Sequence, residues 1–131
     1  MTTWITAYIA TALAFLGLDA VWLGTMTSRL YKPQLQGLLA GHFRPGPALL
    51  FYALYIAGVV GFTVLPAGRP SEALLRGGAF GLVAYATYDL TNLATLRGWP
   101  LAVTAADLVW GTLATGTAAA LGCLVCRWLL R

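Results

Sequence analysis

The sequence predicts an all-α integral membrane protein, a single domain over residues 1–131 built as a bundle of four transmembrane helices with a short interfacial segment between helices 1 and 2. Three observations carry that prediction. The 131 residues are 60% hydrophobic and only 9% charged, with a mean hydropathy of +0.78. Water-soluble domains carry about a quarter charged residues, and one this small exposes too much of its area to hide so apolar a chain. The apolar residues also gather into four runs, each near the ~20 residues that a membrane crossing needs. Finally, the prolines fall between the runs or at their edges and not inside them.

The first run covers residues 3–26 and the second 47–65. The third covers 73–96 and the fourth 101–124. In lipid every backbone polar group must be paired internally, so each run is expected to be helical. Pro66, Gly68 and Pro70 break the chain between the second and third runs, and Gly98 and Pro100 between the third and fourth. The longest connection, Thr27 to Gly46, carries Arg29, Lys32, His42 and Arg44 around an apolar patch at Leu35, Leu38 and Leu39. Pro33 suits the first turn of a short helix lying at the interface. Four crossings put both termini on one side, so that Trp4 and Trp128 mark one interface and Trp99 the other, as in an aromatic belt.

The net charge of +4 does not point to nucleic acid, because the Lys and Arg are scattered as flanks of apolar runs and form no basic stripe. Nor does it orient the chain. Arg69, Arg76, Arg127 and Arg131 lie on one side, Arg29, Lys32, Arg44 and Arg97 on the other, a tie for the positive-inside rule. Cys123 and Cys126 have a redox-like spacing but no second thiol pair to relay electrons, and read as small helix residues. No cofactor is called for, and one His with three Asp is not a diagnostic metal set.

The polar residues inside the runs carry the functional signal. Of four acidic residues, Asp19, Asp89 and Asp107 fall within spans, where a carboxylate is costly and rarely faces lipid. Counting from the helix ends at ~1.5 Å per residue, all three sit roughly 10–14 Å deep. Alternating directions of the helices put them toward the same face, with Trp22, Tyr52, Tyr55, Tyr88, Asn92 and Trp110 in the same half. Tyr85 belongs to an inward stripe of Gly78, Gly81, Tyr85, Tyr88, Asn92 and Thr95. A second stripe, Asp107, Gly111, Thr115 and Ala119, marks the inner face of the fourth span. The expectation is a one-sided pocket, acidic at depth, with Arg97 and His42 at a basic mouth.

Several of these segments look like a known family. Leu18-Asp19-Ala-Val-Trp22, Phe51-Tyr52-Ala-Leu-Tyr55, Tyr85-Ala-Thr-Tyr88-Asp89-Leu-Thr-Asn92 and Asp107-Leu-Val-Trp110-Gly111 resemble domain-of-unknown-function family 2177, small membrane proteins of bacteria. The resemblance extends over nearly the whole chain, and the Tyr-Asp-Leu-Thr-Asn stretch is its most specific part. It implies four spans and a multi-pass location in the bacterial inner (plasma) membrane, and it implies no settled activity.

Two classes of function fit the residues. In the first, the pocket handles a membrane lipid or fatty acyl group, as an enzyme or as an accessory subunit of one. Asp89 is then the central acid or base, tuned by Asp19 and Asp107, and Trp22, Tyr52, Tyr55, Tyr85, Tyr88, Asn92, Trp110, Arg97 and His42 contact the substrate. In the second, a proton- or cation-coupled transporter uses the same acids, with a homo-oligomer supplying the half of the pathway that one chain lacks. A structural subunit of a larger membrane complex is the third possibility.

Overall fold

The computed structural model describes residues 1–130, so Arg131, counted in the charge tie, lies outside the described residues. The described chain is all helical. Four long helices follow one another: α1 (Thr2–Gln34), α2 (Pro45–Val64), α3 (Pro70–Thr95) and α4 (Leu101–Leu129). Three of them, α1, α2 and α4, are long and apolar enough to cross a membrane. With 26 residues, α3 has the length but not the composition, because it carries Glu72, Arg76, Asp89 and Asn92 among its apolar residues.

The helix ends differ from the hydropathy boundaries for identifiable reasons. Pro45 and Pro70 do not end structure but begin it: each sits in the first turn of its helix behind an extended Arg44 or Arg69. There a missing N–H costs nothing and the fixed φ is already helical. At its far end α4 outruns the apolar run by including Arg127 and Trp128, side chains suited to an interface. Gly98, with φ +80°, turns the chain between α3 and α4 in a conformation that a Cβ would disfavour.

The interfacial segment expected at Pro33 is not a separate helix. The chain stays helical through Gln34, and Pro33 lies in the last turn of α1. What precedes it is a π-helical turn over Thr27–Tyr31, in which the Lys32 N–H bonds to the Thr27 carbonyl, five residues back. A proline at this point cannot donate to the carbonyl four residues behind it and crowds that turn. The wider π turn accommodates the defect without ending the helix. After Gln34 the chain loses regular structure, with Gly37 at φ +83°, until Pro45.

Packing centres on α3 and α4, which form the closest pair, with α1 against the other flank of α4. The intimacy has a cause in side-chain size. A Cβ at Gly77 would meet the Ala119 methyl at 2.7 Å and the Thr115 carbonyl at 2.9 Å, and one at Gly81 would meet Thr115 at 2.6 Å. Small residues let membrane helices approach to backbone contact. Helix α2 closes the bundle mainly through a second π turn, Val60–Val64, which touches α1, α3 and α4, whereas its first half has little contact with α3. The bundle is therefore tight at the end bearing both termini and looser at the other. In the tight half Ala7, Val60, Ala73, Ala118 and Ala119 are at most 1% exposed. Glu72 organises the turn at this end: its carboxylate accepts from the Gly68 N–H at 2.9 Å and from Arg76 at 3.0 Å, which holds it below the usual carboxylate range. Arg127 of α4 donates to the Gly68 carbonyl and ties the last helix to the same turn.

Candidate functional site

The looser half holds a half-open cavity of about 410 Å³ between all four helices. Helical spacing builds its walls. Asp19 and Trp22 are three residues apart on α1, Tyr85 and Tyr88 on α3, and Asp107 and Trp110 on α4, so each pair shares a face. Phe51 and Tyr52 come from the start of α2, where that helix stands away from α3. Gly111 shapes the wall by omission, since a Cβ there would overlap the Tyr85 ring.

A connected set of hydrogen bonds fixes the aromatic rings around the carboxyls. Tyr52 donates to Asp19 at 2.6 Å, and the Trp110 indole N–H donates to the other oxygen of Asp19 at 3.3 Å. The Trp22 indole N–H donates to the Tyr31 hydroxyl at 2.8 Å, and that hydroxyl in turn donates to Asp107. The two indoles lie stacked, with centroids 4.6 Å apart and planes 8° from parallel. Asp19 and Asp107 are each 7% exposed, and that exposure is toward the cavity they line.

Asp89 is placed differently. It is fully buried, does not line the cavity, and neither carboxylate oxygen has a hydrogen-bond partner among the described residues. Its interacting neighbours are the Asp107 carboxyl and the Trp99 indole, whose N–H donates to Thr104 at 3.1 Å. Among the described residues the one ion pair is Arg76–Glu72 on the protein surface, so none of the three buried acids is neutralised by a Lys or Arg. An unpaired carboxylate in such a position is expensive. A proton or a cation would relieve it.

The other residues expected at the site divide into two groups. Trp22, Tyr52, Tyr85, Tyr88 and Trp110 line the cavity. Tyr55, Asn92, Arg97 and His42 do not. Tyr55 is 5% exposed, packs on Phe15 at 5.1 Å and bonds to Thr115, so it belongs to the centre of the bundle below the cavity. Asn92 is half-buried, one turn beyond Tyr88. Arg97 and His42 are exposed, as are Arg29, Lys32 and Arg44, and no basic side chain reaches the cavity wall. Long cationic side chains keep their heads in the polar phase: Arg29 and Lys32 occupy exposed positions in the last turns of α1, and His42 and Arg44 lie in the exposed connection beyond it.

Sequence spacing missed Tyr31, Leu23, Phe51 and Ala84. Tyr31 shows why. It lies nine residues after Trp22, which at ~3.6 residues per turn puts the two on opposite sides of a regular helix. The π turn adds a residue to one turn and swings Tyr31 back to the Trp22 face, an effect that only the geometry reveals. Among the described residues no group of three or more His, Cys, Asp or Glu is arranged to hold a metal ion, and Cys123 and Cys126 are free thiols.

No curated protein and no solved structure matches the chain. A family model does match: the family described as "Predicted membrane protein (DUF2177)" covers residues 4–124 of the 131. That stretch takes in every wall of the cavity and all three buried acids. With three helices apolar and long enough to cross a bilayer and a match over most of its length, the chain belongs to this family of predicted membrane proteins.

Proposed function

We propose that the protein is a four-span, multi-pass protein of the bacterial inner membrane that handles a membrane lipid or fatty acyl group in the α1–α4 cavity, as an enzyme or as the accessory subunit of one. One observation supports this most: the cavity is confined to one half of the bundle, where α2 and α3 separate. A gap between two helices in the membrane admits a ligand sideways from lipid. The large aromatic walls suit an acyl chain or the glycerol region, and the carboxyls of Asp19 and Asp107 supply polar groups at depth. Asp89, next to Asp107, is the acid or base that a proton-transfer step would use through its neighbour. In this reading α3 is also a span, with Asp89 set beside Asp107 and with Glu72 and Arg76 at its end by the Gly68 turn.

One feature favours a second reading. An unpartnered buried carboxyl such as Asp89 is what a proton-coupled carrier needs. Against it stands the tight half, where α3 and α4 meet at backbone contact through Gly77 and Gly81.

The two readings part in one experiment. Deleting the gene is expected to change the membrane lipid profile, with restoration by the wild type and not by Asp89→Asn. Purified protein in liposomes is expected to move no protons. Proton-coupled flux abolished by Asp89→Asn, with an unchanged lipid profile, would replace the lipid reading by the carrier.

A further inference from the structure

We infer that the cavity recognises an organic cation, a quaternary or alkylated ammonium group on an apolar body. This deepens the lipid reading by naming the chemistry of the headgroup, and it rests on that reading only for where the ligand sits. Charge selects the ligand first. Two carboxyls, Asp19 and Asp107, open into the cavity, while Lys and Arg are absent from its wall. A phosphate or carboxylate ligand would meet like charge there with no cation to offset it, at a depth where water screens poorly. A cation meets opposite charge.

The surface around those carboxyls selects the same ligand. Trp22, Trp110, Tyr52 and Tyr85 line the cavity with aromatic rings, whose faces attract cations, Trp most strongly; the stacked Trp22 and Trp110 each give one face to the other. An aromatic cage is the usual way to hold an ammonium too heavily alkylated to donate hydrogen bonds. The wall is also preorganised. Both indole N–H groups and the hydroxyls of Tyr31 and Tyr52 are spent within the wall, on Tyr31, Asp19 or Asp107. Their donors thus point at protein acceptors, away from a ligand, and the rings are held in place before anything binds. A wall built this way offers π faces and negative charge more than donors. The volume, about 410 Å³, is within the range of ~300–1,000 Å³ usual for small-molecule sites.

The same chemistry has two sources: the headgroup of an amine-bearing phospholipid, or a free amphiphilic cation. The test uses purified full-length protein in nanodiscs and reads tryptophan fluorescence. Dodecyltrimethylammonium is the free cation, and dodecanol and dodecyl sulfate are the neutral and anionic controls. Nanodiscs of phosphatidylglycerol alone are compared with nanodiscs containing phosphatidylcholine or phosphatidylethanolamine. The cation is expected to quench fluorescence and to bind at least about tenfold more tightly than either control, a difference of about 1.4 kcal/mol. Asp19→Asn and Tyr31→Phe should each weaken it severalfold, and by more than they weaken binding of dodecanol. Tyr31→Phe keeps the ring and its packing, so it remains informative if the Asn variant folds poorly. If phosphatidylcholine or phosphatidylethanolamine competes with the cation and phosphatidylglycerol does not, the source is a lipid headgroup. If no lipid competes, it is a free cation.

Equal binding of all three dodecyl compounds would overturn the inference and leave an acyl-chain site, with the lipid reading intact. Cation binding in a strain whose lipid profile does not depend on the gene would do the reverse, keeping the inference and removing the lipid reading.

Discussion

At the scale of single residues, Asp19, Asp89 and Asp107 were conspicuous in the sequence because a carboxyl inside an apolar run has no cheap surroundings. What each one touches was not legible, since it depends on rotamers and on a π turn that hydropathy does not register. The outcome is unequal. Asp19 and Asp107 are bound by tyrosine and tryptophan donors, whereas Asp89 is left without a hydrogen bond in full burial. Leaving a buried polar group unsatisfied costs about 1–3 kcal/mol. That gives a prediction opposite to the usual effect of a core substitution. Asp89→Asn removes the charge and supplies an amide N–H that can donate to Asp107, so at a pH where Asp89 is ionised it is expected to raise stability by about 1 kcal/mol. The check is thermal unfolding of both proteins in the same detergent. A gain in stability with a loss of function would show that the unpaired carboxyl is retained for its chemistry. A clear loss of stability would show that the carboxyl holds the structure through a contact absent from this conformation.

At the scale of helices, four elements and their order follow from composition, because apolar runs and turn residues alternate so cleanly. Their ends follow less well. Hydropathy stops where side chains become polar, yet a helix stops where its hydrogen bonds do, and so α1 and α4 both run past their apolar stretches. The stripe Asp107, Gly111, Thr115 and Ala119 is wholly buried, as its regular four-residue spacing suggests. The α3 stripe is buried at Gly81 but reaches the surface at Tyr88, which is 58% exposed, because α2 diverges there and leaves it uncovered. Two glycine substitutions separate contact from propensity. Gly81→Ala would drive a methyl into Thr115 at 2.6 Å and is expected to cost about 1–3 kcal/mol by forcing α3 from α4. Gly17→Ala on α1 meets nothing within 4 Å and should stabilise by about 0.5–1 kcal/mol through helix propensity alone. Unfolding in a mild detergent titrated with dodecyl sulfate measures both. Equal effects of the two substitutions would refute the close α3–α4 contact.

At the scale of the whole molecule, the balance of charges at the two ends leaves orientation open, but the bundle itself is polarised. The polar cavity and the long Gln34–Pro45 connection share one end, and the small-residue packing and both termini share the other. A carrier must expose its site to both faces, whereas a protein that takes its ligand from one leaflet need open to only one side. Cysteine labelling reads this difference. In a Cys123→Ala, Cys126→Ala background, Ala84→Cys places a thiol on the cavity wall and Gln36→Cys one in the exposed connection. Ala118→Cys places one in the tight half, at a position 1% exposed. A membrane-impermeant maleimide is then added to right-side-out or inside-out vesicles. The Ala84→Cys thiol is expected to react from the same side as Gln36→Cys and in the same proportion between the two vesicle types, so the result holds even if the chain inserts in both orientations. Ala118→Cys should stay unlabelled from either side. Labelling of Ala84→Cys from the side opposite Gln36→Cys, or of Ala118→Cys from any side, would mean that the tight half opens. A continuous path of that kind is what transport requires, and it would end the one-leaflet reading.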